Sequence, residues 1–325
     1  MIPAKLKKGD HIRIVSPARS MGLIHLDHRE LARQQFARLG LTVSFSDFCE
    51  EMDEFYSSTI ASRVSDLHDA FRDPQVNAIL TTIGGFNSNQ LLRYLDYELI
   101  QNHPKILCGY SDITAIATAI YAKTGLVTYS GPHFSTFGME KGLEYTVGYF
   151  RKCLMQEEAF EVKASSYWSD DEWYLDQENR EFIANEGPFV IQEGEATGTI
   201  IGGNLCTLNL LQGTEFMPDL TNAILFVEDD LESNALTFDR DLQSLLHLEA
   251  TSRIRGLVIG RFQKASKVTR ELLRKSITTK AELQGIPVVA DLDFGHTTPC
   301  FPFPIGGEAR LTVRGDQVKL VIEKH

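Results

Sequence analysis

The stretch Cys108-Gly-Tyr-Ser-Asp-Ile-Thr-Ala-Ile-Ala-Thr-Ala-Ile-Tyr121 decides the fold. A largely apolar run from Lys105 to Cys108 stops at Gly109-Tyr110-Ser111-Asp112. Apolar residues then recur at 113, 116, 117, 120 and 121, the spacing of one helix face. Ser111 therefore sits on a tight strand-to-helix turn. Acyl-transfer enzymes use this geometry to lift a serine out of the sheet and to aim the next N–H at an oxyanion. The match to G-x-S-x-G is incomplete, because position 113 is Ile. Taken alone, the segment fits the commoner use of Ser as a helix N-cap at least as well.

Outward from this turn, strand-like and helix-like segments alternate. His11–Val15, Leu41–Ser44, Ala78–Ile83 and Leu126–Tyr129 read as strands, and 28–39 and Ile60–Phe71 as helices with a short one at Gln90–Tyr94. Short connections between them predict a mostly parallel sheet flanked by helices, with ligands beyond the carboxyl ends of its strands. Gly84-Gly85 and Ser111 both fall at such ends. The alternation restarts at Thr199–Ile201 and Gly202-Gly203-Asn204. Strands follow at Ala223–Val227, Gly256–Ile259 and Pro287–Ala290, helices at 205–211, 238–246 and 270–283, and a β-hairpin at 310–322. Residues 161–195 differ: Ser165-Ser-Tyr-Trp-Ser-Asp-Asp-Glu-Trp-Tyr174 is acidic and aromatic with neither period. The expected fold class is thus α/β. Residues 1–160 form an N-terminal domain, 161–195 a loop-rich connection, and 196–325 a second, β-rich α/β domain. A chain of 325 residues is long enough for two cores.

Composition excludes several classes. A net charge of −12 argues against a nucleic-acid binder. No apolar run approaches about 18 residues, so no membrane span is expected, and the start carries no signal-peptide pattern. Five widely spaced cysteines without C-x-x-C fit reduced thiols in the cytoplasm, and neither a metal nor a cofactor is implied.

A nucleophilic serine needs a base and a group to orient it. Of the nine histidines, His103, His133 and His296 sit at plausible strand ends or loops. Only His296, in Asp293-Phe-Gly-His-Thr-Thr-Pro directly after an apolar strand, lies in a segment that looks built for a site; an ordinary loop histidine is the alternative. Glu228 ends the strand Ile-Leu-Phe-Val, where burying a carboxylate demands a partner. Asp229, Asp230 and Glu232 compete with it, and a solvated acidic loop is the plainer reading.

Six segments in order resemble the serine peptidase family that contains bacterial LD-carboxypeptidases and the microcin C immunity peptidases. They are Ile14-Val-Ser-Pro17, Thr82-Ile-Gly-Gly-Phe-Asn87, Cys108-Gly-Tyr-Ser-Asp-Ile113, Gly202-Gly-Asn-Leu205, Phe226-Val-Glu-Asp229 and Phe294-Gly-His296. The resemblance implies a Ser111–Glu228–His296 triad, an oxyanion hole from the N–H groups of Gly85 and Asp112, no cofactor, and a homodimer. Tyr167–Arg180 resembles the connecting loop of the immunity branch, in which a tryptophan stacks on the substrate's nucleobase. Trp168, Trp173 and Asn204 are then the candidate substrate contacts, with packing against a dimer partner the alternative role for the tryptophans. The implied substrate is a peptidyl or aminoacyl nucleotide; a murein tetrapeptide losing its terminal D-Ala is the alternative, and a non-enzymatic small-molecule binder a third reading.

Overall fold

The computed structural model describes residues 1–325, the side chain of Ser252 apart. Its first sheet has six strands in the order Phe303–Ile305, Thr128–Ser130, Ile106–Cys108, Ala78–Thr81, His11–Val15 and Thr42–Phe45. Five run parallel, as the βα alternation predicts; Phe303–Ile305 is antiparallel to Thr128–Ser130. The second sheet has eight strands, with a parallel centre of Gly194–Asn204, Ala223–Glu228, Gly256–Gly260 and Val288–Leu292. The C-terminal hairpin, Glu308–Arg314 with Gln317–Lys324, adds to one side of that centre, and Phe189–Gln192 adds antiparallel to the other. Of the central strands, Ala223–Glu228 and Gly256–Gly260 are buried at every position, as strands covered on both faces are.

The segment around Ser111 forms a single 3-10 turn, Ser111–Ile113, and then the helix Thr114–Thr124. One buried helix face was expected, yet residues 114–120 are all buried. Ala and Thr occupy the remaining positions, and these small side chains let the helix lie between the two sheets. The Thr114 hydroxyl accepts the Asn204 N–H at 3.0 Å, which ties the start of this helix to the end of a second-sheet strand.

Residues 161–195 are more structured than their composition suggests. Phe160–Val162 pairs with the last strand of the second sheet, and Tyr167–Trp168 pairs with Ile183–Ala184 as a small ribbon. The two units also interlock, because Phe303–Ile305, from the second half of the chain, completes the first sheet. Two helices without a forecast, Tyr97–Asn102 and Glu144–Met155, pack on the first sheet's side of the chain.

Candidate active site

Strand ends from both sheets meet at one cleft of about 530 Å³. From the first sheet come Gly84, Gly85, Tyr110, Ser111 and His133; from the second come Asp230, Glu232, Gly295 and His296. Ser111 has φ +61°, a left-handed conformation that costs a non-glycine residue about 1–3 kcal/mol and persists only where the surroundings enforce it. Its side chain caps no helix: neither the 3-10 turn nor the helix that follows has a side-chain cap bond at its start. The Ser111 hydroxyl instead donates to His296 Nε2 at 3.0 Å, and His296 Nδ1–H donates to Glu228 Oε2 at 2.6 Å. The N-cap alternative is thereby set aside by the geometry.

Two glycines make this approach possible. A Cβ on Gly84 would lie 2.9 Å from Ser111 Cβ, and one on Gly295 would lie 2.6 Å from Glu228 Oε2, both closer than real contacts allow. Glu228 is 2% exposed, and its other oxygen, Oε1, has no hydrogen-bond partner among the described residues. Burial works against a charge on His296, but the adjacent Glu228 carboxylate, with Asp230 and Asp229 behind it, outweighs this and raises its pKa above the ordinary imidazole value.

The loop beside the serine is held by side chains that do not enter the cleft. Asp112 Oδ2 accepts the N–H groups of Asn87 and Ser88 at 3.1 and 2.9 Å, and the Ser88 hydroxyl donates to the Asp112 carbonyl at 2.7 Å. Burial raises the Asp112 pKa, against those hydrogen bonds and Arg63, which lower it. The buried Arg63 guanidinium donates to the Asn87 carbonyl and side-chain oxygens and to Pro17. Gly85 thus sits in a braced loop, and among the described residues its N–H has no acceptor. It is available to a ligand oxygen beside Ser111.

The candidate substrate contacts separate. Trp173 lies in the cleft wall with Tyr174, its ring 5.6 Å from that of His28. Trp168 lies outside the cleft lining, under the Arg261 guanidinium at 5.0 Å and the Lys264 ammonium at 5.8 Å. Asn204 is corrected as a cleft residue: it is 4% exposed and its amide is spent inside. Its Oδ1 accepts the Thr207 N–H at 3.0 Å as a helix cap, and its Nδ2 donates to Asp229 Oδ1 at 3.1 Å. Of the acids weighed against Glu228, Asp230 and Glu232 line the cleft wall, while Asp229 is buried behind them and its pKa is raised by burial and the neighbouring Glu228 to about 7. His103 is exposed at the end of a first-sheet helix, away from the cleft.

The connecting segment is pinned to the histidine arm. Ser169 and Thr298 exchange both backbone hydrogen bonds, at 2.7 and 2.8 Å, two residues beyond His296. Arg180 Nε donates to both oxygens of Asp171 at 2.8 Å. Burial alone would raise the Asp171 pKa, but these bonds and the Glu181 N–H lower it. Among the described residues no group of three or more His, Cys, Asp and Glu gathers in a form that could hold a metal ion.

One cleft residue stands among the loop histidines considered in the sequence and is passed over there in favour of His296. His133 is 2% exposed beside the serine, with its ring stacked on Tyr110 at 4.3 Å. Its segment Gly131-Pro-His-Phe carries no periodicity, and its partner Thr81 lies on another strand; no local signal could have singled it out.

A two-sheet α/β chain whose sheets meet over a serine, a histidine and a buried glutamate belongs to a known class: this chain is a member of the LD-carboxypeptidase family. The family's N-terminal domain matches residues 12–131 and its C-terminal domain residues 197–311. Within the family, the chain is 59% identical to "Putative carboxypeptidase YocD" of Bacillus subtilis strain 168, over 100% of both chains. It is 33% identical to the microcin C7 self-immunity protein MccF of Escherichia coli, over 83% of this chain and 80% of MccF. The fold superposes on the crystal structure of an MccF-like protein from Bacillus anthracis strain Ames with TM-score 0.99, at 55% identity and full coverage of both. MccF in complex with aspartyl sulfamoyl adenosine superposes with TM-score 0.89, at 29% identity over 100% of this chain and 99% of that one.

Proposed function

We propose that this protein is a serine amidohydrolase of the microcin C immunity type, in which Ser111 is the nucleophile, His296 the general base and acid, and Glu228 the group that orients the imidazole. The observation that carries this reading is the continuous Glu228–His296–Ser111 chain of 2.6 and 3.0 Å ending on a serine held at φ +61°. The Ser111 oxygen attacks the substrate carbonyl as its proton passes to His296 Nε2. Glu228 fixes the proton on Nδ1 and stabilises the imidazolium. The N–H groups of Gly85 and Asp112 take the oxyanion, each contributing about 3 kcal/mol at comparable sites. His296 then protonates the leaving nitrogen as the carbon–nitrogen bond breaks, and water hydrolyses the acyl-serine by the same relay.

The proposed substrate is an aspartyl group joined through an amide-like bond to a phosphoramidate or sulfamate of adenosine. Trp173 in the cleft wall supports it, because a flat indole stacks on a nucleobase, and so does the binding of aspartyl sulfamoyl adenosine by MccF. A second reading, a murein tetrapeptide carboxypeptidase, has its own support in Arg19. This half-buried cation lines the cleft without a carboxylate partner among the described residues, and a free terminal carboxylate would suit it. We also propose a cytoplasmic location, in keeping with the five unpaired cysteines, four of them buried, and a homodimer, on the family resemblance alone.

Mass spectrometry of products, with aspartyl sulfamoyl adenosine and a murein tetrapeptide offered in parallel, tests the choice. Release of sulfamoyl adenosine alone is the expected result. Release of D-Ala alone would overturn the nucleotide reading in favour of the carboxypeptidase.

A further inference from the structure

The cleft contains a second imidazole, this one buried, that the Ser111–His296–Glu228 relay leaves unused. His133 Nδ1 lies 2.7 Å from the Thr81 hydroxyl, while His133 Nε2 has no hydrogen-bond partner among the described residues. That orphan atom borders the serine: the point where a Gly84 Cβ would sit is 3.6 Å from His133 Nε2 and 3.0 Å from Ser111 Oγ. A polar nitrogen so deeply buried costs about 1–3 kcal/mol when left unpaired, so its retention beside the serine points to a partner brought by the ligand.

Two tautomers of His133 fit the hydrogen-bond pattern. The Thr81 hydroxyl has one proton and two acceptors in reach, His133 Nδ1 at 2.7 Å and the Cys108 carbonyl at 3.4 Å. Donated across the shorter contact, that proton makes Nδ1 the acceptor and leaves the ring's own proton on Nε2, facing the cleft; donated to Cys108, it would put the ring proton on Nδ1, and the nitrogen-15 measurement below decides between the two. Burial, and then the nearby His296, lower the His133 pKa to about 3, so the ring stays neutral across the working range. A neutral imidazole can donate one hydrogen bond without adding a charge that would compete with the imidazolium forming on His296.

We infer that His133, held by Thr81 and stacked on Tyr110, donates from Nε2–H to an acceptor oxygen of the substrate's acyl group beside Ser111. Its reach from the Gly84 side complements the Gly85 N–H. This inference rests on the proposed reading of Ser111 as the nucleophile, and its test keeps the two apart.

Labelling of the wild-type protein at Ser111 by a fluorophosphonate checks the nucleophile first. His133→Phe keeps the stacked ring and removes the donor; it should lower kcat/KM for aspartyl sulfamoyl adenosine about 10²-fold, the scale of losing one such donor. His133→Asn, which restores an N–H, should recover at least about tenfold of that loss, on the same scale. Thr81→Val should fall in the same direction, and Thr81→Ser should restore it. Nitrogen-15 NMR of the imidazole should place the proton on Nε2 from pH 5 to 9. If Ser111 is not labelled, calorimetry of the same ligand on Ser111→Ala and on Ser111→Ala/His133→Phe still decides the matter, with at least about tenfold weaker binding expected of the double variant. A proton on Nδ1, equal rates in His133→Phe and wild type, or equal losses in His133→Phe and His133→Asn would each overturn the inference.

Discussion

Two imidazoles share one cleft and one tyrosine, and their chemistry diverges. His133 is buried and His296 half-buried, and Tyr110 contacts both rings, at 5.2 Å for His296 and 4.3 Å for His133. Each has Nδ1 engaged at nearly the same distance, 2.6 Å for His296 and 2.7 Å for His133. The partner differs: a buried carboxylate in one case, a neutral hydroxyl in the other. The pKa of His296 accordingly rises, and that of His133 falls to about 3. Burial alone therefore does not decide the charge of a histidine; the charge of its hydrogen-bond partner does. In the proposed mechanism one ring accepts a proton, and its neighbour remains neutral while that happens.

The sharpest break of this comparison is at the atom both rings border. Ser111→Ala should lower turnover by about a million-fold, the scale for losing the nucleophile of a triad, while ligand binding by calorimetry persists. Turnover retained in that variant would remove Ser111, and His296 as its base, from the mechanism. Next in size is the partner swap. Glu228→Gln gives His296 a neutral neighbour like that of His133, so kcat should fall about 10⁴-fold, as when a triad acid is made an amide. The wild-type acid limb of kcat/KM should lie above the ~6.5 of an unperturbed histidine, because the folded-state pKa is raised. Below that limb the base is protonated and rate is lost; in Glu228→Gln the limb should move down. A wild-type profile flat to pH 5 would exclude His296 as the base.

How much of this was legible in the sequence follows from how local each signal is. The βα alternation, the strand ends at Gly84-Gly85 and Ser111, and the terminal hairpin are read within about ten residues, and they match the structure to within a few positions. The return of Phe303–Ile305 to the first sheet was not legible. Three apolar residues carry no period, and their partner Thr128–Ser130 lies far back in the chain. The same distance hides His133, whose character depends on Thr81, 52 residues earlier. The partners of the proposed triad are 68 and 185 residues apart, so spacing could not join them; the resemblance of six ordered segments did. Asn204 shows the reverse failure. A strand-end amide looks available in sequence, but the fold spends it on Thr207 and Asp229.

The two tryptophans extend the comparison to the connecting segment. Trp173 lines the cleft and Trp168 lies under Arg261 outside it. Trp173→Ala should raise KM for a nucleotide substrate by about 10- to 100-fold, the worth of one base–aromatic stack, and leave a muropeptide nearly untouched. Trp168→Ala should change the same constant by no more than about twofold, as for a substitution away from the ligand. Equal effects of the two would mean that the segment acts through its fold and not through a stacking ring.

The smallest effect concerns the acid next to Glu228. Asp229 is 2% exposed, with Oδ2 unpartnered and a pKa pushed up to about 7 by burial and then by Glu228. A carboxyl whose folded pKa exceeds its unfolded value near 3.9 binds its proton more tightly when folded. Its contribution to stability is full below about pH 4 and is lost as pH rises through about 7. Asp229→Asn mimics the protonated form and keeps the Oδ1 that accepts from Asn204. Urea midpoints should then favour the variant at pH 8 by on the order of 2 kcal/mol and converge with wild type near pH 4. Asp229 is also one of the charges that raise the His296 pKa, so the variant's acid limb should move down slightly. A stability difference independent of pH would mean that Asp229 is ionised throughout. The Glu228–His296 pair would then operate beside a second buried negative charge, which would add in full to the Glu228 and Asp230 charges that raise the His296 pKa.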